Sequence, residues 1–222
     1  MAKAMTTTMT GDQRPLRYGS RSTDGILSAT ASIETLQQRL ALRSRVERDA
    51  PGTRRAAVLV PIIAAPAGLE LLCFERTHEV IDHKGEICLP GGSIEKVDRD
   101  VVDAALREAN EELGIEPASV RVLGLLDDVH TFVSNYIITP VAGFIGAKPE
   151  VVSDPLEVAR PIAVPLATLL SQGVERHELR GPDGTMRRIY SYQVGEDRIW
   201  GATARIIHGL LHLWFGEDDA SS

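Results

Sequence analysis

The stretch GGSIEKVDRDVVDAALREANEELGI, residues 91–115, decides how this chain is read. A glycine pair follows a proline, and a short acidic connection leads into a segment of helical periodicity. Val102, Ala105, Leu106, Ala109 and Leu113 fall on one stripe, because a helix advances about 100° per residue. Gly114 stops the segment, and Asp98 or Asp100 is placed to cap its start. Glu108, Glu111 and Glu112 lie together on the adjoining face, at i, i+3 and i+4.

Like charges at that spacing oppose one another by roughly 0.2–0.5 kcal/mol per pair. Negative charge near a helix C-terminus also opposes the macrodipole. Arg107, four residues before Glu111, offsets part of this. Local conflict of this kind tends to mark functional sites. A hard divalent cation resolves it, since Mg²⁺ is held by one or two carboxylates with water and substrate phosphates. A solvated acidic face is the alternative, and spacing alone does not choose between them. The preceding glycines favour the cation: Gly91 and Gly92 let backbone approach a ligand, and a Gly92 carbonyl is a candidate to complete a metal shell.

Outward from this stretch, residues 55–63 (RAAVLVPII) form a nearly continuous apolar run of strand length, as in a strand covered on both faces. Residues 69–75 return as its hairpin partner. Residues 78–89 are polar and irregular, a loop suited to holding a ligand. Arg76, which precedes the loop, and His83 and Lys84, which lie in it, are candidates for contacting phosphate, with His83 serving equally as a loop hydrogen-bond partner. Cys88 lies there without the strongly basic surroundings of a reactive thiol.

Downstream, residues 120–126 read as a strand, 127–135 as a loop, and 136–145 as a strand interrupted by Pro140. Residues 157–164 continue the strand pattern; Glu157 offers a further carboxylate or is simply exposed. Residues 165–172 suggest a short helix, 175–179 and 187–193 a hairpin across 181–184, and 200–215 a terminal helix with Trp200 and Trp214 as core anchors. His208 and His212 stand at i and i+4 without a third ligand, so packing is preferred. Upstream, residues 28–46 form an amphipathic helix that Pro51-Gly52 ends; it would cover the domain's own sheet or a partner subunit, leaving a homodimer open. Residues 1–27 read as a disordered tail and 217–222 as a frayed acidic end. Between them, 28–216 make a single α/β domain with a mixed sheet, a central helix and a terminal helix.

Composition bounds the rest. Hydrophobic residues at 43% and charged residues at 25% are ordinary for a chain that buries a core. A net charge of −7 argues against nucleic acid, which needs a broad basic surface. The two cysteines make no zinc spacing or disulfide framework and read as free, buried or partly buried thiols. The opening MAKAMTTTMTGDQRP lacks the apolar run of a signal peptide, and no stretch has the length of a membrane span. A cytoplasmic setting is the expectation.

The central stretch resembles the box of the Nudix hydrolases: Gly, five residues, Glu, seven residues, Arg-Glu, an aliphatic, any residue, Glu-Glu, one residue, Gly and an aliphatic. Arg107-Glu108, Glu111-Glu112 and Gly114-Ile115 fall in place, with Ala109 at the aliphatic position. Asp98 stands for the first Glu, and eight residues rather than seven precede Arg107. That departure is shared by the coenzyme A pyrophosphatase branch, which the chain resembles from about Ile33 to Leu213. Against that branch's second motif, Leu72, Arg76, Gly85 and Pro90-Gly91-Gly92 match. Cys73, Phe74, Thr77 and Leu89 depart from it, and Ile81 stands where an arginine is expected.

The resemblance implies a Nudix-type α/β/α sandwich that hydrolyses a small-molecule nucleoside diphosphate derivative with Mg²⁺ or Mn²⁺. Glu108 and Glu112 are then the principal metal ligands, and Glu111 a third ligand or the base that orients water. Arg107 holds the glutamates, and Gly92 and Glu157 are further ligand candidates. Arg76, His83, Lys84, Gly91 and Gly92 meet substrate. The implied substrate is coenzyme A or acyl-coenzyme A; ADP-ribose or a related compound is the alternative, and a nucleotide-sensing module without catalysis the third reading.

Overall fold

The computed structural model describes residues 15, 18, 29–77, 85–132, 134–180 and 184–216, with backbone alone at 29–31. Ile81, His83 and Lys84 of the expected ligand loop lie outside the described residues. So do the 181–183 turn, the 217–222 end, and all of 1–27 except residues 15 and 18.

Strands β1 (Arg54–Ala65) and β2 (Gly68–Arg76) form the expected hairpin, in register from Ile62–Leu71 to Ala65–Gly68. Every β1 residue from Ala56 to Ile63 is buried, because both faces of the strand are covered. Six further strands join them: β3 (Ile87–Cys88), β4 (Gly91–Ser93), β5 (Arg121–Leu125), β6 (Val129–Thr131), β7 (Tyr136–Ile145) and β8 (Val158–Pro165). The sheet runs β3-β2-β1-β7-β5, with β4 beside β1, β6 beside β7 and β8 beside β2. The β1–β7 pair is parallel and the others are antiparallel, so the sheet is mixed. Strands β9 (Glu175–Arg180), β10 (Met186–Val194) and β11 (Asp197–Trp200) make a second, antiparallel sheet.

Helix α2 (Val101–Leu113) covers one face, packing Ala104, Ala105, Ala109 and Leu113 with Ala57, Leu59, Leu72 and Phe74. The other face carries Val58, Val60, Ile62 and Leu71. It is covered by α1 (Ala29–Leu42), α3 (Leu166–Gln172) and α4 (Gly201–Phe215). Ile33, Leu36, Leu169, Leu210 and Trp214 supply its packing. Fully burying each large apolar side chain contributes about 1.5–3 kcal/mol. The result is the expected α/β/α sandwich, and α1 packs on this chain's own sheet. Among the described residues, no helix is long and apolar enough to cross a membrane.

Several expectations need correction. The first helix ends at Leu42, not Val46. Beyond it Arg43 binds Asp127 at 2.6 Å, Arg45 binds Asp128 at 2.9 Å, and the Val46 amide donates to Asp127 at 2.8 Å. These bonds draw the chain out of the helix well before Pro51. The 127–135 loop contains β6, the 78–89 loop contains β3, and the glycine pair lies inside strand β4.

Pro140 does not interrupt β7. Its carbonyl accepts from the Leu126 amide at 2.9 Å, and it sits where the neighbouring strand changes from β5 to β6, where no ladder donor is needed. Trp214 is buried and donates its indole N–H to the Ser32 carbonyl, but Trp200 is 46% exposed and is not a core residue. Tyr18, placed by sequence in the tail, is buried and bonds to Tyr192 and His208. Cys73 is buried and Cys88 half-buried, and both are free thiols.

Candidate active site

Helix α2 is set at both ends by side-chain and backbone chemistry. Asp100, extended at φ −160°, accepts from the Val102 and Asp103 amides at 2.9 Å and is the N-cap. Asp98 is therefore released for another task. At the C-terminus Gly114 turns left-handed at φ 66°, and its amide donates to the Asn110 carbonyl.

The helix is rotated from the orientation that its apolar stripe suggests. Its buried residues are Ala104, Ala105, Ala109, Glu112 and Leu113, while Val102 and Leu106 are half-buried. The three glutamates consequently separate. Glu112 is 3% exposed, whereas the side chains of Glu108 and Glu111 are 17% and 58% exposed. They do not form the single acidic face expected from their spacing.

Glu112 points into the layer between helix and sheet. Its Oε2 accepts from the Gly91 amide at 2.8 Å, and its Oε1 from Arg76 Nη2 at 3.2 Å. Burial nevertheless outweighs both partners, and the nearby carboxylates of Glu157 and Glu108 add to it, so the Glu112 carboxyl is pushed up to about 8. Burial also raises Glu108, against the opposing hydrogen bond and charge of Arg107. The carboxylates of Glu157 and Glu108 are thus among the leading influences on Glu112.

Arg107 is the hub of the outer half. It donates to both oxygens of Asp98 (2.9 and 3.1 Å), to Glu111 at 2.9 Å and to the Ser93 carbonyl at 3.2 Å, and pairs with Glu108 at 2.9 Å. The hydrogen bond from Arg107 leads in holding the Asp98 carboxyl below its usual range. Arg76, at the end of β2, reaches Glu112 and also Glu157, 3.6 Å away in the turn before β8. Beside Arg76, burial pushes the Cys88 thiol up to about 11, so it is not a reactive thiolate.

Two relationships escaped the sequence reading: Arg76 with Glu112, and Asp98 with Arg107. The second had a signal, because Asp98 occupies the position of the first box glutamate. The first depends on packing of residues 36 positions apart.

Among the described residues, no three His, Cys, Asp or Glu side chains stand together as a group that could hold a metal. The donors still fit a hard divalent cation that takes one or two carboxylates and fills its shell with water and substrate oxygens. Glu108 and Glu112 are one turn apart, and Glu157 adds a third carboxylate nearby. Gly92 makes the space: a Cβ there would lie 2.5 Å from the Glu108 carboxyl carbon. The strand passes over the carboxylate at a distance that only glycine permits.

The family model for the NUDIX domain matches residues 53–152. The uncharacterized Nudix hydrolase NudL of Photorhabdus laumondii is 36% identical over 164 residues, covering 74% of this chain and 87% of that protein. Its namesake in Pectobacterium atrosepticum is 39% identical over 163 residues, covering 71% and 81%. Among solved structures, a MutT/nudix family protein from Enterococcus faecalis aligns with a TM-score of 0.48 at 16% identity, over 90% of this chain and 74% of that one. The likeness to the NudL proteins and the family match define a hydrolase. The chain belongs to the Nudix family.

Proposed function

We propose that this protein hydrolyses the diphosphate linkage of coenzyme A or an acyl-coenzyme A in a reaction that depends on Mg²⁺ or Mn²⁺. The products are 3′,5′-ADP and (acyl-)4′-phosphopantetheine. The observation that carries the reading is Glu112, buried between the Gly91 amide and Arg76 with Glu108 and Glu157 beside it. An apolar side chain would fill that position at far lower cost than a desolvated carboxylate.

Glu108 and Glu112 would hold the cation, assisted by the Gly92 carbonyl and Glu157. When bound, it neutralises diphosphate oxygens and the charge that develops on the leaving phosphate. Arg76 is a proposed contact for a phosphate oxygen; His83 and Lys84 are proposed contacts on the loop outside the described residues. Glu111, exposed and held through Oε2 by Arg107, orients the attacking water and accepts its proton. One water O–P bond forms as the bridging P–O bond breaks, leaving two phosphomonoesters. Arg107 keeps Glu108 and Glu111 in position and binds no substrate. The setting proposed is the cytoplasm.

The substrate reading rests on Leu72, Arg76, Gly85, Pro90, Gly91 and Gly92. Ile81, in place of a cation, is what favours the second reading, ADP-ribose. A panel of coenzyme A, acetyl-coenzyme A and ADP-ribose with Mn²⁺, read by identification of the phosphate-bearing products, tests this. Coenzyme A compounds are expected to turn over faster. Equal or faster turnover of ADP-ribose overturns the substrate reading, and cleavage of none of them overturns the diphosphate reading itself.

A further inference from the structure

On the sheet face opposite α2, a cavity of about 540 Å³ opens between α4, the 126–129 segment and the 43–48 segment. That volume suits a small organic ligand. No α2 residue lines it, so it is separate from the carboxylate centre. Three arginines face it: Arg43, Arg48 and Arg205.

The two aspartates in its wall are already matched. Asp127 is bound by Arg43 at 2.6 Å and by the Val46 amide. Asp128 takes Arg45 at 2.9 Å, the Arg48 amide at 2.9 Å, Thr139 at 2.8 Å and Arg55 at 3.5 Å. Arg48 gives Nε to the Asp128 carbonyl at 3.0 Å, and among the described residues no carboxylate pairs with its guanidinium.

Arg205 is different again. It is half-buried in α4 and has no hydrogen-bond or ion-pair partner among the described residues. Burial first, and the charge of Arg48 second, hold its guanidinium below the ordinary range. A chain of net charge −7 thus keeps two like charges facing one cavity, one of them desolvated and unpaired. Arginine's planar fork matches phosphate, and a desolvated unpaired cation is costly unless an anion joins it. Tyr190 and His208, with ring centroids 4.3 Å apart, add an aromatic wall.

We propose that this cavity is a second ligand site, which binds the phosphate group of a small molecule between Arg48 and Arg205. It does not depend on the diphosphatase reading. The shared chemistry is a phosphate dianion, either free or as an organic monoester.

The test is calorimetric titration of inorganic phosphate, and separately ribose 5-phosphate, into the full chain without divalent metal. The unmodified chain and Glu112→Gln are expected to bind alike, while Arg205→Gln and the surface change Arg48→Gln each weaken binding tenfold or more. Tighter binding of ribose 5-phosphate assigns an organic monoester; equal binding assigns free phosphate. Thermal melting supplies an independent readout: without phosphate, Arg205→Gln melts at or above the unmodified chain, because an unpaired charge is gone. The proposal is overturned by absence of saturable binding to the unmodified chain, by binding that survives in Arg48→Gln and Arg205→Gln, or by binding lost in Glu112→Gln.

Discussion

The Gly91 amide donates to Glu112 Oε2 at 2.8 Å, tying strand β4 to helix α2 through a carboxylate that is almost wholly buried. Strand β4 is itself fixed to β1 by the pairs Val58–Gly91, Ala57–Gly92 and Ala56–Ser93. The position of Glu112 is therefore set by the sheet as well as by the helix that carries it. A buried carboxyl held by one amide and one guanidinium has consequences for stability, metal affinity and rate, and each can be measured.

Stability should fall as pH rises through neutrality. The folded chain holds the Glu112 proton up to about pH 8, while the unfolded chain releases it near the ordinary value of 4.5. Between these limits the folded state carries the extra proton, so this contribution is full below about 4.5 and is lost as pH rises towards 8. The slope from one proton is at most about 1.4 kcal/mol per pH unit. Denaturant unfolding of metal-free protein from pH 5 to 8 measures it, and Glu112→Gln is expected to flatten the profile. An unchanged slope in that variant contradicts the assignment.

Gly92→Ala is expected to separate stability from function. Its new Cβ would lie 2.5 Å from the Glu108 carboxyl carbon, which is the far end of a flexible side chain. Glu108 can swing away, so the melting point should move little, within about 1 kcal/mol of stability. The displaced carboxylate no longer faces Glu112, and Mg²⁺ affinity and kcat should both drop by about 10-fold or more. A variant that keeps its activity shows that Glu108 need not occupy this place.

Arg107→Lys keeps the charge and removes the fork. One ammonium cannot reproduce the paired bonds to Asp98 together with those to Glu108, Glu111 and Ser93. The expected outcome is a lower melting point and a kcat reduced by about 10–100-fold. KM should be nearly unchanged on the proposed role, in which Arg107 positions the glutamates without touching substrate. A raised KM with unchanged kcat contradicts that role.

Much of the fold was legible because its signals are periodic. The apolar run 55–63, its hairpin partner and the helices around Leu106 and Leu210 carry repeating patterns that the structure follows. Strands β3, β4 and β6 are two or three residues long and carry no period, so they passed as loop or turn. The helix at 28–46 looked longer than it is because Arg43 and Arg45 suit a helix surface, while their partners, Asp127 and Asp128, lie some 80 residues on.

The same limit applies to the site. Sequence placed Glu108, Glu111 and Glu112 within one turn of helix but could not assign their depths. Packing against the sheet uses Ala104, Ala105 and Ala109, whose small side chains give a weak hydrophobic signal. Val102 and Leu106 pulled the expected stripe toward themselves. The resulting rotation brings Glu112 to Arg76 and Gly91, leaving Glu111 outside with Arg107.

The most direct test is the rate of diphosphate cleavage by Glu112→Gln beside the unmodified chain, at saturating Mn²⁺ and coenzyme A, with unfolding followed in parallel. The substitution keeps the shape and the Gly91 hydrogen bond but removes the charge that would hold a cation. The expected result is a folded protein whose kcat falls by at least about 10²-fold, beyond what loss of a supporting partner costs. A folded Glu112→Gln that cleaves at the unmodified rate contradicts the role given to the buried carboxylate.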